Sequence, residues 1–484
     1  MRTIVIYDDT GKKSEVISDI IGDKGFAEVV VKKRHLEDYY NEELKRIYPN
    51  LSWRKIHSIF EYSELLKEME LVNTDDTRIL HCFSNYLISD SGKAALSFKK
   101  LEYIDEPYGV LDEKRAVAAM FPNVETYIHF CKNVMLGQRA WDLAKNMGET
   151  FEIEGLVDIS VIGNFIQCIT GNFDSRYFNS FKGNEYTLVK NSSNKKKIKA
   201  EYNFYHLLPE DMKFWFVMPF NYQETESDAS YTMERLHMAD LAIKWVHGSM
   251  DESEFDELMD KYFFFLKSRH AKACSPSEYK KLADSLYVGK VNERIANLKR
   301  LPEFETIRNM LFASGGMAVD NLVDKYFELK GIIESRTEYE PKLVIGHGDL
   351  CFANTLYNKS TKTIKFIDPK GAIEENELWT NPYYDVAKLS HSVCGRYDFF
   401  NSALFDIRID NGFKYDLEIP FDNSRYVESF KKKVEQNGFD YWSVRIYEAS
   451  LFLSMLPLHI DNPHKVFGFI LNVENILKEI EANV

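Results

Sequence analysis

Short runs of apolar residues punctuate the first hundred positions of the chain, and helical periodicities fill the gaps between them. Residues 3–7 (TIVIY), 27–31 (AEVVV) and 78–83 (RILHCF) predict strands, whereas 40–47 and 58–71 repeat their apolar positions at helical spacing. Strands interleaved with helices predict an α/β layer domain. The pattern weakens after about residue 110. A helical stretch over 124–144 then leads into the polar segment 145–154, which puts a domain boundary near residue 150.

Residues 151–235 read differently. Strand-like runs at 159–170, 176–181, 186–189 and 213–218 are joined by turns such as Lys182-Gly183-Asn184-Glu185, and Gly-Asn between two such runs is a hairpin signal. An antiparallel sheet is expected there, interrupted by one helix over 196–208. From 236 to 333 the pattern is mostly helical, so 236–484 is expected to be a helical lobe.

Composition narrows the class. At ~150 residues per domain, 484 residues make two or three domains. Hydrophobic residues at 45% with only 23 Gly and 13 Pro exclude a fibrous or largely disordered chain. The net charge of −14 repels phosphate backbones and anionic membranes, which disfavours a nucleic-acid binder. The six cysteines form neither CxxC pairs nor zinc-spaced clusters and read as thiols of a reducing compartment. The N-terminus lacks the basic start of a signal peptide, and no apolar run approaches the ~20 residues of a membrane span, so a cytoplasmic location is expected.

The strongest chemical pattern is at 343–357 (LVIGHGDLCFANTLY), which sets His347, Asp349 and Asn354 in a loop between two apolar runs. Asp368 stands fourteen residues after Asn354, at the end of another strand-like run. An Asp in a rigid loop can accept a hydroxyl proton, while an Asn five residues on and an Asp from the adjacent strand supply hard oxygens for Mg²⁺. That set suits phosphoryl transfer.

These residues resemble the catalytic and metal-binding motifs of the aminoglycoside phosphotransferase and choline kinase group, the small-molecule branch of the protein-kinase-like fold. The resemblance covers roughly residues 155–400. It implies an α+β bilobal domain with a large helical C-lobe, ATP and Mg²⁺ as cofactors, and a small-molecule hydroxyl as acceptor. It further implies Asp349 as the catalytic base, His347 as a structural member of the catalytic loop, and Asn354 and Asp368 as metal ligands. Lys190, at the end of the strand-like run, would hold the α/β-phosphates, with Glu201 on the next helix as its partner. The turn holding Gly171, Asn172 and Ser175 would cover the phosphates, although it departs from the G-x-G-x-x-G pattern. Met233, Glu234 and Arg235 fall where the family's hinge binds adenine. Asp385 would brace the catalytic loop, with an N-cap role as the alternative. Trp379, Tyr383, His391 and Tyr397 are candidates to line the acceptor site. Only some 17 residues separate Asp368 from Asp385, too few for the long peptide-binding loop of a protein kinase.

In the first domain, Asp8 and Asp9 are adjacent before Thr10, whereas the haloacid-dehalogenase motif needs one residue between its acids. A Rossmann-like sheet of the nucleotide-sugar enzyme type is the nearer analogy. Neither G-x-G-x-x-G nor a P-loop appears in it, and a scaffold, a second enzyme and a docking unit all stay open. Two further readings of the whole chain are a non-catalytic nucleotide-binding scaffold and a protein kinase. Acceptors of the family include amino alcohols, sugars and aminoglycosides; a sugar, sugar alcohol or amino alcohol is the expected acceptor here, and the fused α/β domain suggests by association a setting in bacterial capsule or surface-polysaccharide biosynthesis.

Overall fold

The computed structural model describes residues 2–31, 33–72, 76–113, 115–170, 179–183, 186–313, 318–409 and 414–484. The chain divides into two compact units, Met1–Phe173 and Asp174–Val484.

The first unit is built on a mixed sheet of β1 (Arg2–Asp8), β2 (Leu51–Ile56), β3 (Thr77–Phe83), β4 (Tyr108–Asp112), β5 (Arg115–Phe121) and β6 (Glu149–Glu152), in the order β2-β1-β3-β5-β4-β6. β1 runs parallel to β2 and β3, as strand-helix-strand connections require. The expected Rossmann-like sheet stops there. β4 and β5 are joined by a two-residue loop, which forces an antiparallel hairpin, and β5 lies antiparallel to β3. Asp8 ends β1 and Asp9 follows it, but their carboxylates serve internal bonds. Asp8 Oδ2 accepts from Tyr62 Oη (2.7 Å) and lies 3.1 Å from His81 Nε2, while Asp9 Oδ1 accepts from Ala27 N (3.1 Å) and Ser84 Oγ.

Several expected elements differ. Residues 27–31 hold a 3₁₀ turn and only a two-residue strand, Val30–Val31. The expected helix over 124–144 is two helices, Val124–Met135 and Ala140–Lys145, interrupted at Gly137 with φ +95°. The expected strand at 159–170 is the helix α1 (Ile162–Thr170), because Ile162, Phe165, Ile166 and Ile169 recur at helical spacing. Before it, Leu156–Asp158 pairs with Tyr86–Ile88, which carries this unit past the boundary expected near 150.

The second unit opens with a four-stranded antiparallel sheet of β7 (Asn179–Gly183), β8 (Thr187–Ser192), β9 (Pro219–Glu224) and β10 (Ala229–Glu234), in the order β7-β8-β10-β9. The helix α2 (Lys195–Leu207) follows β8 and packs on β9 and β10. Lys190 therefore lies inside β8 rather than at its end. The expected strand at 213–218 does not form. There Trp215 O accepts from Phe366 N (2.7 Å) and Val217 N donates to Phe366 O (3.1 Å), which stitches this segment to the following lobe.

That lobe is helical, with α3 (Glu252–Ser268), α4 (Pro276–Asp284), α5 (Lys290–Leu298), α6 (Val319–Arg336), α7 (Pro382–Val393), α8 (Tyr441–Met455) and α9 (Pro463–Asn483). It also carries β11 (Lys342–Ile345) and the hairpin β12 (Thr355–Asn358) and β13 (Thr363–Phe366). Its core seats Trp245 among Phe255, Phe352, Phe421 and Tyr426, three of them edge-on. Each such burial contributes about 2–3 kcal/mol, and Phe352 thereby anchors the loop that continues from Asp349. Cys82, Cys131 and Cys351 are buried, and all six thiols are free. No helix among the described residues is long and apolar enough to cross a membrane.

Candidate active site

Lys190 is wholly buried. Its Nζ lies 2.8 Å from Glu201 Oε2 on α2 and 2.8 Å from Asp368 Oδ1 in the helical lobe. Tyr231 Oη donates to the same Glu201 oxygen at 3.0 Å. Burial alone would drain the proton from Lys190, but Asp368 and Glu201 outweigh it and hold the ammonium above its usual range. Asp368 comes after β13 with φ +54°, a left-handed conformation that non-glycine residues adopt at a cost. Burial would lift its carboxyl, yet Lys190 keeps it below the usual range.

The loop after β11 is organised by Asp385 of α7. Its Oδ2 accepts from His347 N (3.0 Å) and its Oδ1 from Gly348 N (2.8 Å), while Arg269 Nη1 lies 2.9 Å from Oδ2. The N-cap of α7 is Asn381, so the capping alternative for Asp385 does not hold. Gly348 turns the chain at φ +79°, where a Cβ would meet Lys370 Cβ at 2.6 Å. His347 Nδ1 accepts from Asp349 N (3.1 Å), which leaves the proton on Nε2 to bond Ile367 O (2.9 Å). Burial holds this imidazole below its ordinary pKa, and it joins the two acidic segments as a neutral brace.

Asp349 keeps 43% of its side chain open. Asn354 Nδ2 donates to its backbone oxygen (2.9 Å) and to Oδ2 (3.1 Å), and Lys388 Nζ of α7 lies 2.8 Å from Oδ1. Burial would raise this carboxyl, but the Lys388 ammonium overrides it and brings it down to about 2. Asn354 Oδ1 and Asp368 Oδ2 accept no hydrogen bond among the described residues. Two hard oxygens of this kind fit Mg²⁺, which takes one or two protein oxygens and completes its shell with water and phosphate. No group of three or more His, Cys, Asp or Glu side chains among the described residues is arranged to hold a metal by itself.

Met233 and Glu234 are the last residues of β10, opposite Leu188 and Thr187. Arg235 N donates to Tyr186 O at 2.9 Å, so that amide is not available to a base. Met233 also lines a cavity of about 30 Å³ with Tyr231, Phe366 and Asp368, beside Glu201. Gly171, Asn172 and Ser175 lie outside the described residues. The expected acceptor-lining set is not assembled. His391 is wholly buried, with its ring centroid 4.2 Å from those of Tyr397 and Phe452. Tyr397 is 9% exposed, and Tyr383 is buried with its Oη accepting from Asp440 N. Trp379 lies under Lys272, 4.5 Å from its Nζ. Tyr383 and His391 turn inward on α7, and Tyr397 from the next helix packs on His391.

Lys388 and Arg269 are partners of the loop carboxylates that the sequence pattern does not reveal. Lys388 stands three positions after Asp385 on one helix, and that spacing puts both on the face turned to the loop. Gly346 is a further requirement of the loop. A Cβ there would fall 2.3 Å from Thr380 Cγ2 and 3.0 Å from Asp385 Oδ2. Gly346→Ala is expected to cost about 1–3 kcal/mol, read as a lower urea midpoint of the second unit's transition.

No protein-family model matches the chain, and no curated protein matches it. Among solved structures, the chain is similar to a ternary complex of a thermostable aminoglycoside phosphotransferase APH(4)-Ia mutant with AMP-PNP and hygromycin B, at 13% identity and TM-score 0.36, over 67% of this chain and 100% of that one. It is similar to a putative fructosamine-3-kinase from Haemophilus somnus 129PT at 11% identity and TM-score 0.34, over 62% of this chain and 90% of that one. It is also similar to the streptomycin-ATP complex of APH(2″)-IIa at 14% identity and TM-score 0.33, over 63% and 89% of the two chains.

Proposed function

We propose that the second unit is a phosphotransferase that moves the γ-phosphoryl group of ATP to a hydroxyl of a small molecule. The observation that carries this reading is the buried ammonium of Lys190, held by Glu201 from its own lobe and by Asp368, 178 residues further along the chain, from the other. An ammonium so fixed is a ready partner for the α/β-phosphates, and the Asp349 loop lies beside Asp368 through His347. Asn354 and Asp368 would hold Mg²⁺, which when bound neutralises charge on the phosphates.

In the reaction, the bond between the γ-phosphorus and the β–γ bridging oxygen breaks and a bond to the acceptor oxygen forms. Asp349 orients the acceptor hydroxyl and takes its proton, which passes to solvent. The short span between Asp368 and Asp385 favours a small acceptor over a polypeptide. The test is ADP formation from MgATP by the intact chain over a panel of sugars, polyols, their acids and phosphates, and amino alcohols. Acceptor-dependent ADP is expected, falling ~10²–10³-fold in Lys190→Met, the usual worth of one fixed charge at a transition state. MgATP binding without turnover of any acceptor, polypeptide included, would instead favour a nucleotide-binding scaffold.

A further inference from the structure

Between α4 and α5 the helix makes a π turn over Ser285–Gly289, and Lys290 is the first residue beyond it. A π turn widens the helix and shifts the angular position of every residue C-terminal to it, and such turns recur at functional sites. Lys290 Nζ donates to Tyr384 Oη at 3.0 Å and lies 5.5 Å from its ring centroid. Arg294, four residues on, shares this face of α5, and its Nε is buried without a hydrogen-bond partner. Among the described residues neither cation has a carboxylate within ion-pair reach, in a chain with 75 Asp and Glu against 61 Lys and Arg. Tyr384 stands on α7 one turn before Lys388, the partner of Asp349. Burial would raise its phenol, but Lys388 and Lys290 bring it below its ordinary pKa.

A line of groups therefore leads away from the reacting carboxylate: Asp349, Lys388, Tyr384, Lys290 and then Arg294 on the face of α5. Cations outnumber the single carboxylate along it, and that carboxylate is already engaged by Lys388 and Asn354. We infer that this line is the acceptor surface and that the acceptor is an anion, a small hydroxylated molecule whose phosphate or carboxylate is received by Lys290, Arg294 and the Tyr384 hydroxyl while its hydroxyl lies on Asp349. The inference rests on the phosphotransferase reading. It turns away from amino alcohols and aminoglycosides, whose ammonium groups would meet like charge.

The test has two arms on the intact chain. In the first, the protein is saturated with MgADP, and inorganic phosphate is then titrated in by calorimetry. Wild type is expected to bind phosphate, with affinity about ten- to a hundredfold lower in Lys290→Gln and Arg294→Gln and retained in Lys290→Arg and Arg294→Lys, while MgADP affinity stays at the wild-type value in all four. In the second arm, ADP formation is measured with polyols supplied as the neutral form, the phosphomonoester, the sugar acid and the amine. A higher kcat/KM for the phosphate or acid form, lost through KM in Lys290→Gln, supports the inference and says which anion is taken. Absence of phosphate binding to the MgADP complex, binding that ignores both substitutions, or preference for a neutral or amine acceptor overturns it. Failure to bind MgADP at all overturns the phosphotransferase reading instead.

Discussion

Asp349→Asn is expected to lower acceptor-dependent turnover by ~10²–10⁴, the usual worth of a positioned acid or base, with MgATP affinity unchanged. The substitution preserves shape. The single amide oxygen can keep the Asn354 Nδ2 bond or the Lys388 contact but not both, because in Asp349 these fall on different oxygens. It also loses a charge that Lys388 holds in the ionised state down to about pH 2. Such a carboxylate is a poor base at equilibrium. In the proposed reaction its effect would come from orienting the hydroxyl and receiving the proton late, when the transferring group is already loosely bound. Single-turnover measurement of ADP separates this loss from altered product release, and a variant within tenfold of wild type would remove Asp349 from the role.

The second large effect is expected at Asp385, where the loss is structural first and catalytic as a consequence. Asp385→Ala strands the buried guanidinium of Arg269 and two loop amides, at a cost of about 3–5 kcal/mol. Hydrogen exchange is the suitable measurement, because a chain of two units need not unfold in one step. The amides of His347 and Gly348 are expected to lose protection first, before the core amides of α8. Pairing the change with Arg269→Met removes the orphaned charge and is expected to restore part of the stability but not the loop order. Equal destabilisation in the single and double variants would show that the ion pair does not govern the loop.

Legibility in the sequence tracks distance along the chain. His347, Asp349 and Asn354 fall within eight residues, so their chemistry can be read as a phrase, and Asp368 comes just after the second strand of the adjoining hairpin. Lys190 and Glu201 are separated by one turn and two turns of helix, short enough to pair by position. Lys388, Arg269, Tyr384 and Lys290 are not legible in this way, because each acquires its meaning from a partner on another element. The helix over Ile162–Thr170 reads as a strand because a dense apolar run masks its period. The mixed sheet escapes notice because nothing in residues 105–121 announces that two strands meet through a two-residue loop rather than through a helix. The candidate acceptor aromatics Tyr383, His391 and Tyr397 are packed in the interior, as aromatic side chains beside a buried loop most often are.

The crossing at Phe216 has one further consequence. Besides the chain leaving β10, the sheet lobe meets the helical lobe where Phe216 lies beside Phe366 and stacks on His347 with ring planes 15° apart, where Ala372 N donates to Ala200 O of α2 at 3.0 Å, and at the Lys190–Asp368 ion pair. The backbone and ring contacts are short-range and packed, whereas the ion pair joins two long-range charges that a third charge can compete for. An anion arriving at Lys190 would therefore loosen one tie between the lobes while leaving the stack on His347 in place, and His347 would act as the fixed seat against which the lobes adjust.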